Sequence, residues 1–215
     1  MPDPDPLELP GEDATLASIL AAAWTLLDRA ARDAREDWHW PVLASVDARD
    51  PERPAADARV VVLRGSDPEA RVLEVHGDAR THKLAQLGAV PDACLLFHDR
   101  ARGLQLRAWA HARAHVGDAV ARRAWDALAP SSRRTYLAPR TPGEPVDAPD
   151  ANLPDAYVDR LPDPAQAERG FACFAAIAMR VRALEWLRLG RAGHQRAPSG
   201  WPGGGAAPIA TWLRP

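Results

Sequence analysis

From residue 14 onward the apolar positions Leu16, Ile19, Leu20, Ala23, Leu26, Leu27 and Ala30 recur at intervals of three and four, which is the mark of one helix face. With Asp13 as N-cap, the spacing predicts an amphipathic helix from residue 13 to near Glu36. The period then shortens. PVLASVDA (41–48), RVVVLRG (59–65) and ARVLEVHG (70–77) are short runs rich in β-branched residues. The loop RDPERPAAD and the turn GSDPE separate them, so three strands in succession predict an antiparallel meander. Helical spacing returns over 79–87, with Leu84 and Leu87 on one side. ACLLFHD (93–99) and LQLRAWAHARAHV (104–116) again read as strands. In the second, Leu104, Leu106, Ala108, Ala110, Ala112 and Ala114 alternate with Gln105, Arg107, Trp109, His111, Arg113 and His115, so one face carries polar and aromatic groups.

A second amphipathic helix, GDAVARRAWDALA (117–129), opens on Gly117-Asp118 as cap and runs into a stretch up to about residue 168 so rich in Pro and Asp that it reads as loop. Strand spacing resumes over 170–190, at GHQRAP (193–198) and at the terminal ATWLRP, with SGWPGGGAAP (199–208) as a flexible hairpin tip. The pattern predicts a mainly β fold, a small barrel of about six to eight strands with two or three peripheral helices. Residues 1–12 read as a flexible tail and 13–215 as one domain.

Composition narrows the function classes. With 27 basic and 29 acidic residues the formal net charge is -2, so no whole-chain field holds a nucleic acid or an anionic membrane. No apolar run approaches the ~20 residues of a membrane helix, and the acidic, Pro-rich start MPDPDPLELPGED is unlike a signal peptide, which predicts a cytoplasmic protein. The two cysteines, Cys94 and Cys173, sit in apolar runs that read as buried strands, and the 7 His show no ligand spacing, so no metal site is expected.

The residues that suggest chemistry are Arg59-Val60-Val61-Val62-Leu63-Arg64, followed by His76-Gly77, His82-Lys83 and Gln105. Within one strand Arg59 and Arg64 face opposite sides unless a bulge or strand end intervenes. Taken alone, both also suit solvent-facing strand ends, and Trp186 also suits a core. Trp38-His39-Trp40 suits packing of the first helix against the barrel.

In order and spacing these residues resemble the pyridoxamine 5'-phosphate oxidase family, which carries an Arg-x-x-x-x-Lys/Arg strand, a short pair ending the next strand, a basic pair opening the following helix, and a later Gln. A second block, Trp186, His194 and Arg196, repeats the family's closing Trp, His and Arg at the same intervals. The wording of VVLRG, DARTHKLAQL and PSSRR is similar to an FMN-binding branch rather than to the vitamin B6 enzymes themselves. The resemblance implies an FMN-binding split β-barrel, built as a homodimer with the cofactor at the subunit interface. It places Arg59 and Lys83 on the flavin phosphate, the backbone of Val60, Val61, Val62 and Leu63 along the ring edge, and Arg64, His76, Gly77 and His82 around them. Gln105, Trp186 and Arg196 would come from the second subunit, with His194 as the catalytic candidate.

The departures are informative. His82 and His76-Gly77 replace stronger donors, which predicts lower FMN affinity. Where the B6 enzymes grip substrate phosphate, this chain has Trp125, Ala129, Arg133 and Ala192. A phosphorylated substrate without those donors loses several charge-assisted bonds of ~1.5 to 3 kcal/mol each, so efficient pyridoxamine phosphate oxidation is not expected. The expectation is an FMN-dependent oxidoreductase acting on a small molecule. The alternatives are a flavin carrier or redox sensor without turnover, and a haem-binding split barrel.

Overall fold

The computed structural model describes residues 9–11, 14–190, 193–205 and 207–215. Most of the stretch read as a tail, the expected cap Asp13 and Ala192 lie outside them. Helix α1 (Leu16–Arg32) begins instead on Thr15, whose hydroxyl accepts from the Ser18 N–H while Ser18 returns the bond to the Thr15 N–H. It ends about a turn earlier than the spacing suggested and buries Ile19, Ala23, Trp24, Leu26, Leu27 and Ala30. The last residues of the tail are tied down, because the Pro10 and Gly11 carbonyls accept from Arg188 and Gln195 at 2.7 and 3.2 Å.

The strands are β1 (Val42–Asp47), β2 (Ala55–Val60), β3 (Leu63–Asp67), β4 (Val72–Asp78), β5 (Asp92–Asp99), β6 (Leu104–His115), β7 (Phe174–Arg188), β8 (Gln195–Gly200) and β9 (Ile209–Ala210). All pairings are antiparallel, in the order β2-β1-β5-β6-β7-β4-β3, with β8 joined to the second half of β7 and β9 to β8. The expected single strand over 59–65 is two strands. Val61 and Val62 belong to neither, and the chain passes across them from one edge of the sheet to the other. Because consecutive strands sit at opposite edges, the two edges are brought together without a ladder between them, which makes the barrel split. The loop expected over 49–57 is shorter, since its last residues already pair with β1.

Alternation in β6 holds through Ala112: Leu104, Leu106, Ala108, Ala110 and Ala112 are buried, while Gln105, Arg107 and Trp109 line the outer face, but Ala114, expected on the buried side, is exposed at the strand's end. Strand β7 is apolar on both faces at its start for a physical reason. Ala175 and Ile177 enter the barrel core, whereas Phe174 and Ala176 are covered from outside by α3 (Ala119–Ala127), which contributes Ala121, Ala124 and Trp125 to a second cluster. Asp118 caps α3, accepting from the Val120 and Ala121 N–H groups at 3.0 and 2.9 Å.

Of the aromatic trio, Trp38 and His39 are buried and Trp40 is exposed. The Trp38 ring lies 5.5 Å from Phe97 and 6.4 Å from Trp186. Neither cysteine is fully buried. Cys94 is half-buried on the outer face of β5, and Cys173 ends a short helical turn before β7 rather than lying in the strand. The C-terminal hairpin tip is shorter than expected, because Ser199 and Gly200 extend β8 and Trp201 is buried.

Candidate functional site

The site is built where β1, β2 and the start of α2 (His82–Ala89) meet. Register pairs Leu43 with Arg59 and Ser45 with Asp57, so these four side chains share one face of the β1–β2 ladder. Helix α2 lies over them, and its residues Lys83, Gln86 and Leu87, three and four apart, share a side. The helix begins three residues later than the sequence indicated. Thr81 stands at its N-cap position, and the Arg80 guanidinium bonds Asp78 in the preceding turn at 2.6 Å.

Arg59 is held at both Nη atoms. Its Nη1 donates to Ser45 Oγ at 2.6 Å and to the Leu43 carbonyl at 3.3 Å. Its Nη2 donates to Gln86 Oε1 at 2.9 Å and ion-pairs with Asp57 at 2.5 Å. The buried Gln86 amide closes the ring: Oε1 also accepts from Ser45 Oγ at 2.7 Å, and Nε2 donates to Asp57 Oδ2 at 2.8 Å. The bond from Gln86, with the charge of Arg59, lowers the Asp57 pKa below its ordinary value.

Lys83 reaches the same corner. Burial, and then repulsion from Arg59, lower its pKa below the usual 10.5, with Asp78 opposing. No carboxylate forms an ion pair with it among the described residues. Its side chain runs beside Gly77, where an added Cβ would fall 2.6 Å from Lys83 Cε and 2.9 Å from Nζ. Glycine at 77 therefore leaves room for the lysine rather than serving a turn.

Around this pair the other candidates divide. The His76 side chain is 8% exposed on the outer face of β4, with Nε2 2.8 Å from Glu74 and its ring 4.9 Å from Phe174, and its Nδ1 has no partner among the described residues. The Phe174 ring also meets Tyr136, from the segment after α4 (Pro130–Arg133), at 5.1 Å. Burial pushes the Tyr136 hydroxyl up to about 12 despite the nearby charge of Arg64. Arg64 is exposed on β3, and the exposed His82 lies under the 130–168 segment near Gly143. That segment is expected as loop but is pinned to the site: Arg80 donates to the Ala138 carbonyl at 3.0 Å.

Gln105, Trp186 and Arg196 do not share a face. Gln105 pairs with Leu187 and Leu187 with Arg196, so Gln105 and Arg196 lie in one row on the outer surface. Trp186, one residue away, points inward and is 2% exposed. Glu185 sits on the outer face between Arg107, to which it is ion-paired, and Arg196 at 3.0 Å. His194 is exposed, and its Nδ1 accepts from the Gly190 N–H at 3.3 Å.

Ser45, Asp57, Gln86, Glu185 and Tyr136 are the polar residues that the sequence did not single out. Gln86 alone left a trace, three residues after Lys83 on the same helix. Among the described residues no group of three or more His, Cys, Asp or Glu could hold a metal ion, and no helix is long and apolar enough to cross a membrane.

The open seam between β2 and β3 and the covering α1 define the class of fold: a split β-barrel of the kind seen in solved pyridoxamine 5'-phosphate oxidase-related proteins. One similar solved structure is a pyridoxamine 5'-phosphate oxidase-related, FMN-binding protein from Nostoc punctiforme. It is 18% identical, matched over 91% of this chain and 95% of that one with a TM-score of 0.65. Another is PhzG from Burkholderia lata in complex with tetrahydrophenazine-1-carboxylic acid, 16% identical over 91% of each chain with a TM-score of 0.63. No family model and no curated protein matches the sequence.

Proposed function

We propose that this chain binds FMN as a homodimer and serves as a flavin-dependent oxidoreductase for a small molecule other than pyridoxamine 5'-phosphate, in the cytoplasm. The observation that carries the reading is the convergence of Arg59 and Lys83, from a strand and a helix start, close enough for the arginine charge to act on the lysine, which lies beside a glycine that leaves it room. A flavin phosphate is a dianion and needs such charge-assisted donors, a fork from Arg and a point charge from Lys. The residues fit the group: Lys83 offers an ammonium with no carboxylate paired to it among the described residues, and Val62, outside both ladders, offers main-chain groups to a ring edge, whereas the Val61 N–H already donates to the Pro41 carbonyl at 2.9 Å. Bound there, FMN would supply hydride and electron acceptance, while the chain supplies binding and orientation.

Gln105 and Arg196 lie on the outer face, where they can serve the pocket of a second copy. With Trp186 in the core behind them, ring contacts fall to these two rather than to the indole. Arg64 and His76 border the pocket on the substrate side, with His82 at the phosphate side. The residues that stand where the B6 enzymes grip phosphate are engaged elsewhere. Trp125 is fully buried, and Arg133 donates to the Asp126 carbonyl at 2.9 Å and lies over the Trp125 ring.

A flavin-binding protein without turnover is the second reading, favoured by the exposed position of His194, whose one hydrogen bond is to its own turn. Mass spectrometry of the ligand released by denaturing the purified protein, together with its visible spectrum, tests the cofactor: FMN is expected. A haem band, or no ligand and no uptake of added FMN, overturns the reading. Bleaching of the bound flavin by NADPH or another donor separates an oxidoreductase from a carrier.

A further inference from the structure

The Arg59 guanidinium is tightly engaged before any anion reaches it. Three partners accept hydrogen bonds from its Nη atoms and a fourth ion-pairs with it, and the three are fixed: the Leu43 carbonyl is ladder backbone, and Ser45 and Gln86 are 5% and 3% exposed. Asp57 is different. It is the one charged partner, and its side chain is 44% exposed on the strand at the sheet edge, so it alone of the four can turn out toward solvent. A phosphate dianion approaching Arg59 therefore competes with one residue, Asp57, for one arm of the fork.

Gln86 ties these pieces together. Its carboxamide is oriented by Ser45, Arg59 and Asp57 at once. The Oε1 is thereby committed to Arg59 and the Nε2 to the aspartate. If the aspartate leaves, the Nε2 hydrogens are freed beside Arg59 as neutral donors for the incoming oxygens.

We propose that Gln86 is the positioning residue of the phosphate clamp and Asp57 its built-in competitor, so that these two side chains set, in opposite directions, the preference of the site for phosphorylated over unphosphorylated flavin. The inference rests on the FMN reading and adds the residues that tune it. Arg59 and Lys83 supply charge. Gln86 fixes where the Arg59 charge points, and Asp57 subtracts from it by repelling a dianion and occupying one arm.

The test is titration of the flavin-free dimer with FMN and, separately, with riboflavin, for the natural chain and two variants. Gln86→Met keeps the length of the side chain and removes its hydrogen bonds. It is expected to weaken FMN about tenfold with riboflavin unchanged, the loss of one charge-assisted contact. Asp57→Asn keeps an acceptor for Gln86 Nε2 and removes the charge. It is expected to strengthen FMN about fivefold, again with riboflavin unchanged. A merely structural role would move both flavins together in either variant, and that result overturns the proposal, as does FMN binding that Asp57→Asn weakens or leaves alone. If Gln86→Met fails to fold, Asp57→Asn at its half-exposed edge position decides the matter. Failure of the natural chain to bind FMN would instead take down the underlying reading, and it is seen before either variant is made.

Discussion

Lys83 fills the space beside Gly77 that any side chain there would occupy. The clash is with the far end of a flexible chain, so Gly77→Ala should leave the fold nearly as stable and push the ammonium aside. We expect FMN affinity to fall about tenfold with a small change in Tm, since a displaced charge-assisted donor costs roughly that much. Fluorescence titration with FMN alongside thermal melting checks it. A large loss of stability with normal binding would count against the assigned role.

The same lysine gives the binding a pH dependence. Its folded pKa is lowered below 10.5 by burial and then by Arg59, so as pH rises the ammonium is lost earlier than for an ordinary lysine. FMN affinity should decline as pH is raised toward 10.5, and the decline should be absent in Lys83→Met, whose affinity is lower throughout. The stability effect has the opposite sign. Between the folded pKa and 10.5 the unfolded chain binds more protons, so this residue favours folding increasingly as pH rises through that window. A pH series of FMN titrations for both proteins is the measurement.

Glu185 predicts an acid-sensitive pairing on the outer face. Its burial acts to raise the carboxyl pKa, but the bonds from Arg107 and Arg196 outweigh it and hold the pKa below 4.5. The stabilisation is therefore present above pH 4.5 and is lost as pH falls through the lowered value. Urea melts should show Glu185→Gln less stable than the natural chain near neutrality, with the gap closing in acid. A gap independent of pH would mean that packing, not charge, is responsible.

Trp125 anchors the segment after α3. It is fully buried against Tyr136, Phe171 and Phe174, at centroid distances of 5.6, 5.9 and 5.3 Å, and its Nε1 donates to Glu168 at 3.1 Å. Trp125→Ala should cost about 3 to 5 kcal/mol in denaturant unfolding. Proteolysis within 130–168 should speed up before the barrel itself becomes susceptible.

Much of this was legible along the chain because it depends on neighbours in sequence. The period of α1, the alternation in β6, the cap at Asp118 and the spacing of Arg59, Lys83 and Gln105 are local. A covered strand face or a helix stripe leaves its mark whatever the rest of the chain does. The spacing also carried the resemblance to a known family, and with it the fold.

Tertiary structure decided what pairing and register alone can settle. The run 59–65 looks like one strand because every residue in it has strand propensity, yet it divides at Val61-Val62 where the chain must change sheet edges. Asp57 looked like loop, and only its register opposite Ser45 brings it to Arg59. Trp186 and Arg196 have family-like spacing, but the cross-strand register of β7 and β8 puts one in the core and the other outside. Side-chain type and local period are written in the sequence. Which acceptor stands 3 Å from which donor is fixed only when strands far apart in the chain are set side by side.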